Sequence, residues 1–210
     1  MNITHIKDSQ IEVPENIFQG IFDRQRELHE KYREIEQGNR LGLSLVKDIP
    51  FSLDNPKWQY ILKDFAWRVT EEMAEAREAY LERNDIHYVE ELIDALHFYT
   101  EMLVICQWEP DNLDVAFRQE NPTEYMIDFW LPVYHLGIAC NFLKCKPWKN
   151  THVITDKKRF IQSMLEGYTY LVLIILKARV NGNMVNHIEN LYMLYFKKSL
   201  VNQFRQETNY

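Results

Sequence analysis

The sequence predicts an all-α protein, and three observations carry that prediction. Apolar residues recur with the helical period of about 3.6 through nearly the whole chain. No long alternating stretch argues for a sheet, and 210 residues contain only six Gly and seven Pro, which suits long regular elements. With 46% hydrophobic residues the chain has enough carbon for one real core. The expected architecture is a helical bundle around a central helix pair. Residues 1–210 form a single domain in this reading, with 111–149 as a candidate inserted or mobile helical segment.

The first helix is expected from about Pro14 to Gln37, where Ile17, Phe18, Ile21, Phe22, Leu28 and Tyr32 trace an apolar stripe with Gln25 and His29 embedded in it. Gly42 to Asn55, bounded by Pro50 and Pro56, reads as a loop. Pro56 opens a second helix that runs to about Arg83. With Phe65 as zero, Trp58, Leu62, Val69, Ala76 and Tyr80 fall within roughly 60° of it. The third helix, about His87 to Gln107, is apolar nearly all round: Leu92, Leu96, Tyr99 and Leu103 line one face, Phe98 and Ile105 another, so it is expected to be central. Further helices are expected at Asn112 to Arg118, Pro122 to Phe142 with a break near Pro132, Asp156 to Val180 and Val185 to Gln206, with Asn-Gly-Asn at 181–183 as a helix-ending turn. The aromatic-rich segment from Tyr125 to Trp130 reads as core or subunit interface.

Charge and cysteine usage exclude several classes. A net charge of −7 argues against broad nucleic-acid binding by backbone neutralisation. Cys106, Cys140 and Cys145 are an odd set without a C-x-x-C pair, so neither a disulfide framework nor a zinc ribbon is indicated. The N-terminus lacks the apolar core of a signal peptide, and the most apolar run, Tyr168 to Leu176, is short for a bilayer span. The expectation is a cytoplasmic protein without a membrane partner.

The functional signal is a misplacement of charge. Glu72 lands about 20° from Phe65, inside the apolar stripe of the second helix, and Glu75 lies at the stripe's edge. On the third helix Glu91 and Asp94 flank the second apolar face. A carboxylate on a buried face must be paired, protonated or bound to metal, and four from two helices would make a divalent-cation site. Glu71, Glu78, Glu90 and Glu101 read instead as a solvated charged face. In the last helix the stripe begun by Ile188, Leu191 and Tyr195 continues as Lys198, Asn202 and Arg205. If the polar patches meet, the bundle holds a cavity with acids on one wall and bases on another. His97 reads as a satisfied core histidine. Four oxygen donors suit Mg²⁺ or Mn²⁺ rather than zinc, and a nucleoside triphosphate would be held from both sides.

These residues carry a resemblance. The E-x-x-E of Glu72 and Glu75, followed by the E-x-x-D of Glu91 and Asp94, resembles the all-α nucleoside triphosphate pyrophosphatases, the MazG-like superfamily. The tail Lys198-x-x-x-Asn202-x-x-Arg205-Gln206-x-x-x-Tyr210 and the early Gln25-x-x-Leu28-His29 are similar to motifs of its dimeric dUTPase and phage dCTPase/dUTPase group. Asn209 stands where that motif has Gly, and His29 where it has an amide. The resemblance implies Mg²⁺ on Glu72, Glu75, Glu91 and Asp94, base or sugar contacts from Gln25 and Asn202, phosphate contacts or closure from Lys198, Arg205 and Tyr210, and a substrate-binding place for His29. It implies Glu75 as the catalytic base, with Glu72 as the alternative, release of pyrophosphate and a nucleoside monophosphate, and a homodimer. In a phage-encoded member the site of action is the host cytoplasm. dUTP is the expected substrate and dCTP the alternative, because an amide can read either base edge. A di-iron bundle using Asp94 and His97 lacks a matching acid-x-x-His partner. A non-enzymatic helical adaptor would have no reason to keep buried acids.

Overall fold

The computed structural model describes residues 11–39, 42–111, 113, 128–145, 156–180 and 182–207. Among them six α-helices stand in chain order: α1 (Ile17–Asn39), α2 (Pro56–Leu81), α3 (Asp85–Ile105), α4 (Leu131–Phe142), α5 (Lys157–Lys177) and α6 (Ile188–Glu207). A single 3₁₀ turn, Gly42–Val46, lies within the expected loop. The only pairing of strands among the described residues is a two-residue ladder, β1 (Arg179–Val180) with β2 (Asn183–Met184), where Arg179 faces Met184. It brackets Gly182, which takes the positive φ of 80° suited to a tight reversal of the chain.

Local chemistry sets the helix ends. Asn55, Asn84 and Asp156 cap α2, α3 and α5 by accepting from the backbone N–H of Lys57, His87 and Arg159. Residue Arg83 ends α2 in the left-handed region, φ 59°, while Asn84 N–H reaches back to Ala79 O at 3.0 Å and Arg83 N–H to Tyr80 O at 3.1 Å. The corner Glu82–Asn84 therefore folds α3 back along α2 in an antiparallel hairpin. Pro132 stands in the first turn of α4, so it starts that helix where the sequence reading expected a break. Of the helix expected at 112–118 only Leu113 is described, packed against the core, and the residues Tyr125 to Ile127 and Tyr210 lie outside the described residues.

α3 is central, packed on α2, α1, α5 and α6, which is why its sequence is apolar nearly all round. Ile17, Phe18, Ile21 and Phe22 of α1 are fully buried, and Tyr168 of α5 receives the ring edges of Phe18, Phe22 and Tyr99. Gly167 makes room for that packing, since a Cβ there would lie 2.2 Å from the Tyr99 hydroxyl oxygen. That hydroxyl is buried and has no partner among the described residues. Tyr80 departs from its expected place: it is 56% exposed, because it sits on the last turn of α2 and lays its ring against Tyr88 and Arg77. α5 is long and apolar enough by length and composition to cross a bilayer, although Tyr168 to Leu176 alone is not. Of its apolar window 61% is buried inside the bundle, as befits a core helix. The three cysteines are free thiols, and burial pushes Cys106 up to about 12 and Cys140 to about 11.

Candidate functional site

The α2–α3 hairpin brings Glu72, Glu91 and Asp94 together, with one carboxylate oxygen from each lying within 4.8 Å of the others. Glu91 is 7% exposed and also meets His87 Nδ1 at 2.9 Å. Three carboxylates this close cannot all ionise freely. Burial, a hydrogen bond with Glu91 and the charges of Asp94, Glu91 and Glu75 push Glu72 up to about 8. Burial likewise raises Asp94 to about 6, against the pull of Lys198 and Arg205. A proton held between Glu72 and Glu91 thus occupies a place where positive charge is wanted, and the donor set is all hard oxygen. Both features fit Mg²⁺ or Mn²⁺. Glu75 is exposed and stands outside the tight triad, within electrostatic reach of Glu72.

A cavity of about 160 Å³ opens beside the triad, lined by Glu72 and Asp94, by Gln25 of α1, by His97 and Glu101 of α3, and by Asn202 and Arg205 of α6. Four polar interruptions of apolar stripes therefore do meet. Lys198 is placed differently from the sequence expectation: its ammonium does not face the acids across the cavity but touches one of them, Asp94 Oδ2, at 2.5 Å, and is only 6% exposed.

Behind the cavity lies a network that the sequence reading missed. Glu101, expected on a solvated face, is 1% exposed. Its carboxylate accepts from Gln25 Nε2 at 2.8 Å and pairs with His29 Nδ1 at 2.5 Å. Burial works against a charged His29, but the hydrogen bond and charge of Glu101, with Glu30, outweigh it and raise the imidazole. The sequence held a signal for Glu101, which follows Asp94 by seven residues and so shares its helical face to within about 20°. His29 in turn serves Glu101 here and is not among the residues lining the triad's cavity.

The network fixes the Gln25 amide. Because a carboxylate only accepts, the atom facing Glu101 is Nε2, and Oε1 accepts from the Tyr195 hydroxyl at 2.5 Å and from His97 Nδ1 at 3.0 Å. Both lone pairs of Oε1 are used, and one amide N–H remains. His97 stacks on Tyr195 at 3.8 Å between ring centres, and burial, with Lys198 nearby, holds it neutral down to about 3. Its proton must then sit on Nδ1, which leaves Nε2 as a bare acceptor, buried and without a partner among the described residues. The histidine expected to be satisfied is satisfied on one side only.

Comparison with known proteins adds an independent finding. A family model described as dUTPase matches residues 78–210, more than half of the chain, taking in Glu91, Asp94 and the tail but beginning after Glu72 and Glu75. No curated protein and no solved structure matches the chain. The match agrees with the acid triad, the cavity and the all-helical architecture, and it sets aside the adaptor reading: the chain belongs to the all-α dUTPase family, related to the MazG-like pyrophosphatases, and is a nucleoside triphosphate pyrophosphatase, a hydrolase of phosphoric anhydrides.

Proposed function

We propose that this chain hydrolyses dUTP to dUMP and pyrophosphate in a Mg²⁺-dependent reaction, with Mn²⁺ able to substitute, and that it works as a cytoplasmic homodimer. The observation that carries the reading is the convergence of Glu72, Glu91 and Asp94 beside a cavity that Gln25, His97, Asn202 and Arg205 also line. When bound, the divalent ion supplies charge neutralisation for the phosphates and makes water more acidic. Glu72, Glu91 and Asp94 would hold it, with Glu75 completing the set from the cluster's edge.

The chain's own groups do the rest. Glu75, exposed beside the triad, accepts a proton as a water oxygen forms its bond to phosphorus, and the α–β anhydride bond breaks with its electron pair leaving on pyrophosphate. Glu72 is the alternative base. Arg205 neutralises phosphate oxygens and the Tyr210 hydroxyl donates a hydrogen bond to them, while Lys198 steadies Asp94 and adds its charge from beneath. Asn202 contacts the sugar or base.

Base choice follows from the locked amide. Uracil presents an acceptor at O4 beside a donor at N3–H, and cytosine presents the reverse. The remaining N–H of Gln25, which lines the cavity, would donate to O4 of uracil. For cytosine that contact would set donor against donor, at roughly 1–3 kcal/mol, so preference for dUTP over dCTP should reach about tenfold or more in kcat/KM. The test is a panel of dUTP, dCTP, dTTP, dATP, dGTP and the ribonucleotides with Mg²⁺, scoring monophosphate formed. Equal rates for dUTP and dCTP would remove the base assignment, and no hydrolysis of any nucleotide would remove the whole reading.

A further inference from the structure

A second cavity, of about 400 Å³, lies apart from the one beside the acids, and the two share no lining residue. It lies where the ends of α2, α3 and α5 meet β1, and Arg77 points roughly 140° away from Glu72 around α2. One wall is a continuous aromatic row: Tyr80 and Tyr88 have ring centres 5.6 Å apart, and Tyr88 and Phe129 6.4 Å apart. The rim carries Arg77, Lys177 and Arg179, with Asp85 as its one acid. None of the three cations has an ion-pair partner among the described residues; Arg77 only lies over the Tyr80 ring at 5.3 Å.

In a chain with a net charge of −7, three cations without ion-pair partners crowd one concavity with a single acid, Asp85, to offset their repulsion. A bound anion would relieve that repulsion, and guanidinium and ammonium groups are well suited to phosphate. The aromatic row offers faces to a planar ring, and the volume falls in the usual range of small-molecule sites, about 300–1,000 Å³. We propose that this cavity is a second ligand site that takes a nucleoside phosphate, its ring against Tyr80, Tyr88 and Phe129 and its phosphate on Arg77, Lys177 and Arg179. Because Tyr88 lies one turn before Glu91 and Arg77 half a turn beyond Glu75, an occupant there touches both arms of the hairpin that carries the acids. The site is therefore positioned for regulation by a nucleotide.

Equilibrium dialysis of the full chain with dUMP tests it. The Arg77→Glu/Lys177→Glu variant should bind one equivalent fewer than the unaltered protein, while its kcat/KM for dUTP in the absence of added dUMP stays within about twofold. Arg77→Gln alone, a milder change at a partly exposed position, should weaken the second site by at least about tenfold. Deoxyuridine should not fill the site, and inorganic phosphate should do so only at far higher concentration. An unchanged stoichiometry in the double variant overturns the proposal, as does equal occupancy by deoxyuridine or by phosphate alone. Since the readout is a difference between proteins, it stands whether or not the acid-lined cavity itself binds dUMP.

Discussion

Metal binding at the acid triad should be an exchange of cation for proton, and the size of the exchange follows from the structure. Glu72 is pushed up to about 8 and Asp94 to about 6, so at neutral pH the metal-free site holds close to one proton that an ion must displace. Both carboxylates lie above their usual range, so apparent Mg²⁺ affinity must rise with pH and level off above about 8. Treating the two as independent, affinity should climb roughly seventeenfold from pH 6 to 7, when both are losing protons, and roughly sixfold from pH 7 to 8. The sign for stability is opposite. The folded metal-free chain keeps a proton on Glu72 that the unfolded chain releases near 4.5, so its stability should fall as pH rises from about 4.5 towards 8, and Mg²⁺ should restore it. Titration calorimetry at pH 7 in buffers of different ionisation enthalpy measures the exchange directly, and the expected release is about one proton per ion. Glu72→Gln should abolish most of it. An affinity that is flat between pH 6 and 8, with no buffer dependence, would refute the argument that these carboxylates share a proton and bind the ion.

Three other perturbations test separate parts of the structure. Glu101→Leu removes the acceptor that holds Gln25 Nε2 and frees the amide to turn over, so discrimination between dUTP and dCTP should fall by about tenfold or more, with a smaller change in turnover of dUTP; unaltered discrimination would show that the amide is not the reader. Glu75→Gln should lower kcat by at least about a hundredfold with helix content unchanged in circular dichroism, and undiminished turnover would remove that residue from the chemistry. Gly167→Ala should cost about 1–3 kcal/mol in denaturant melts despite the better helix propensity of Ala, because its Cβ would collide with the Tyr99 hydroxyl; in a Tyr99→Phe background, itself near neutral since it deletes an unpartnered hydroxyl, part of that cost should vanish, the remainder coming from Pro132 O and the ring carbon at 3.1 Å.

The fold was legible because periodicity and burial coincide. The stripe of Ile17, Phe18, Ile21 and Phe22 is the buried face of α1, and the third helix read as central is the one packed on four others. Glu72, Glu91 and Asp94 were legible for the same reason: an acid among carbons on a helical face stands out in angle. Glu75 lay at the edge of the stripe and is exposed, as an edge position often is. Glu101 was misread because a lone acid on a helix is usually solvated, and recognising its burial needed the knowledge that α1 lies across that face and presents Gln25 and His29 to it. The direct contact of Lys198 with Asp94 was equally beyond the sequence, since the distance between α6 and α3 is a tertiary fact that no spacing within either helix encodes. Tyr80 followed the period, but the period says nothing of where a neighbouring helix stops covering it.

The three-residue corner between the first two long helices of the hairpin has one more implication. Adding or deleting a single residue among Glu82, Arg83 and Asn84 would turn α3 by about 100° against α2, sending Glu91 and Asp94 to a different side of the bundle with every amino acid of the triad still present. The corner acts as a ruler: homologous chains that keep this chemistry should preserve its count of residues, with a residue that tolerates the left-handed region at 83 and a capping side chain at 84, while position 82 varies.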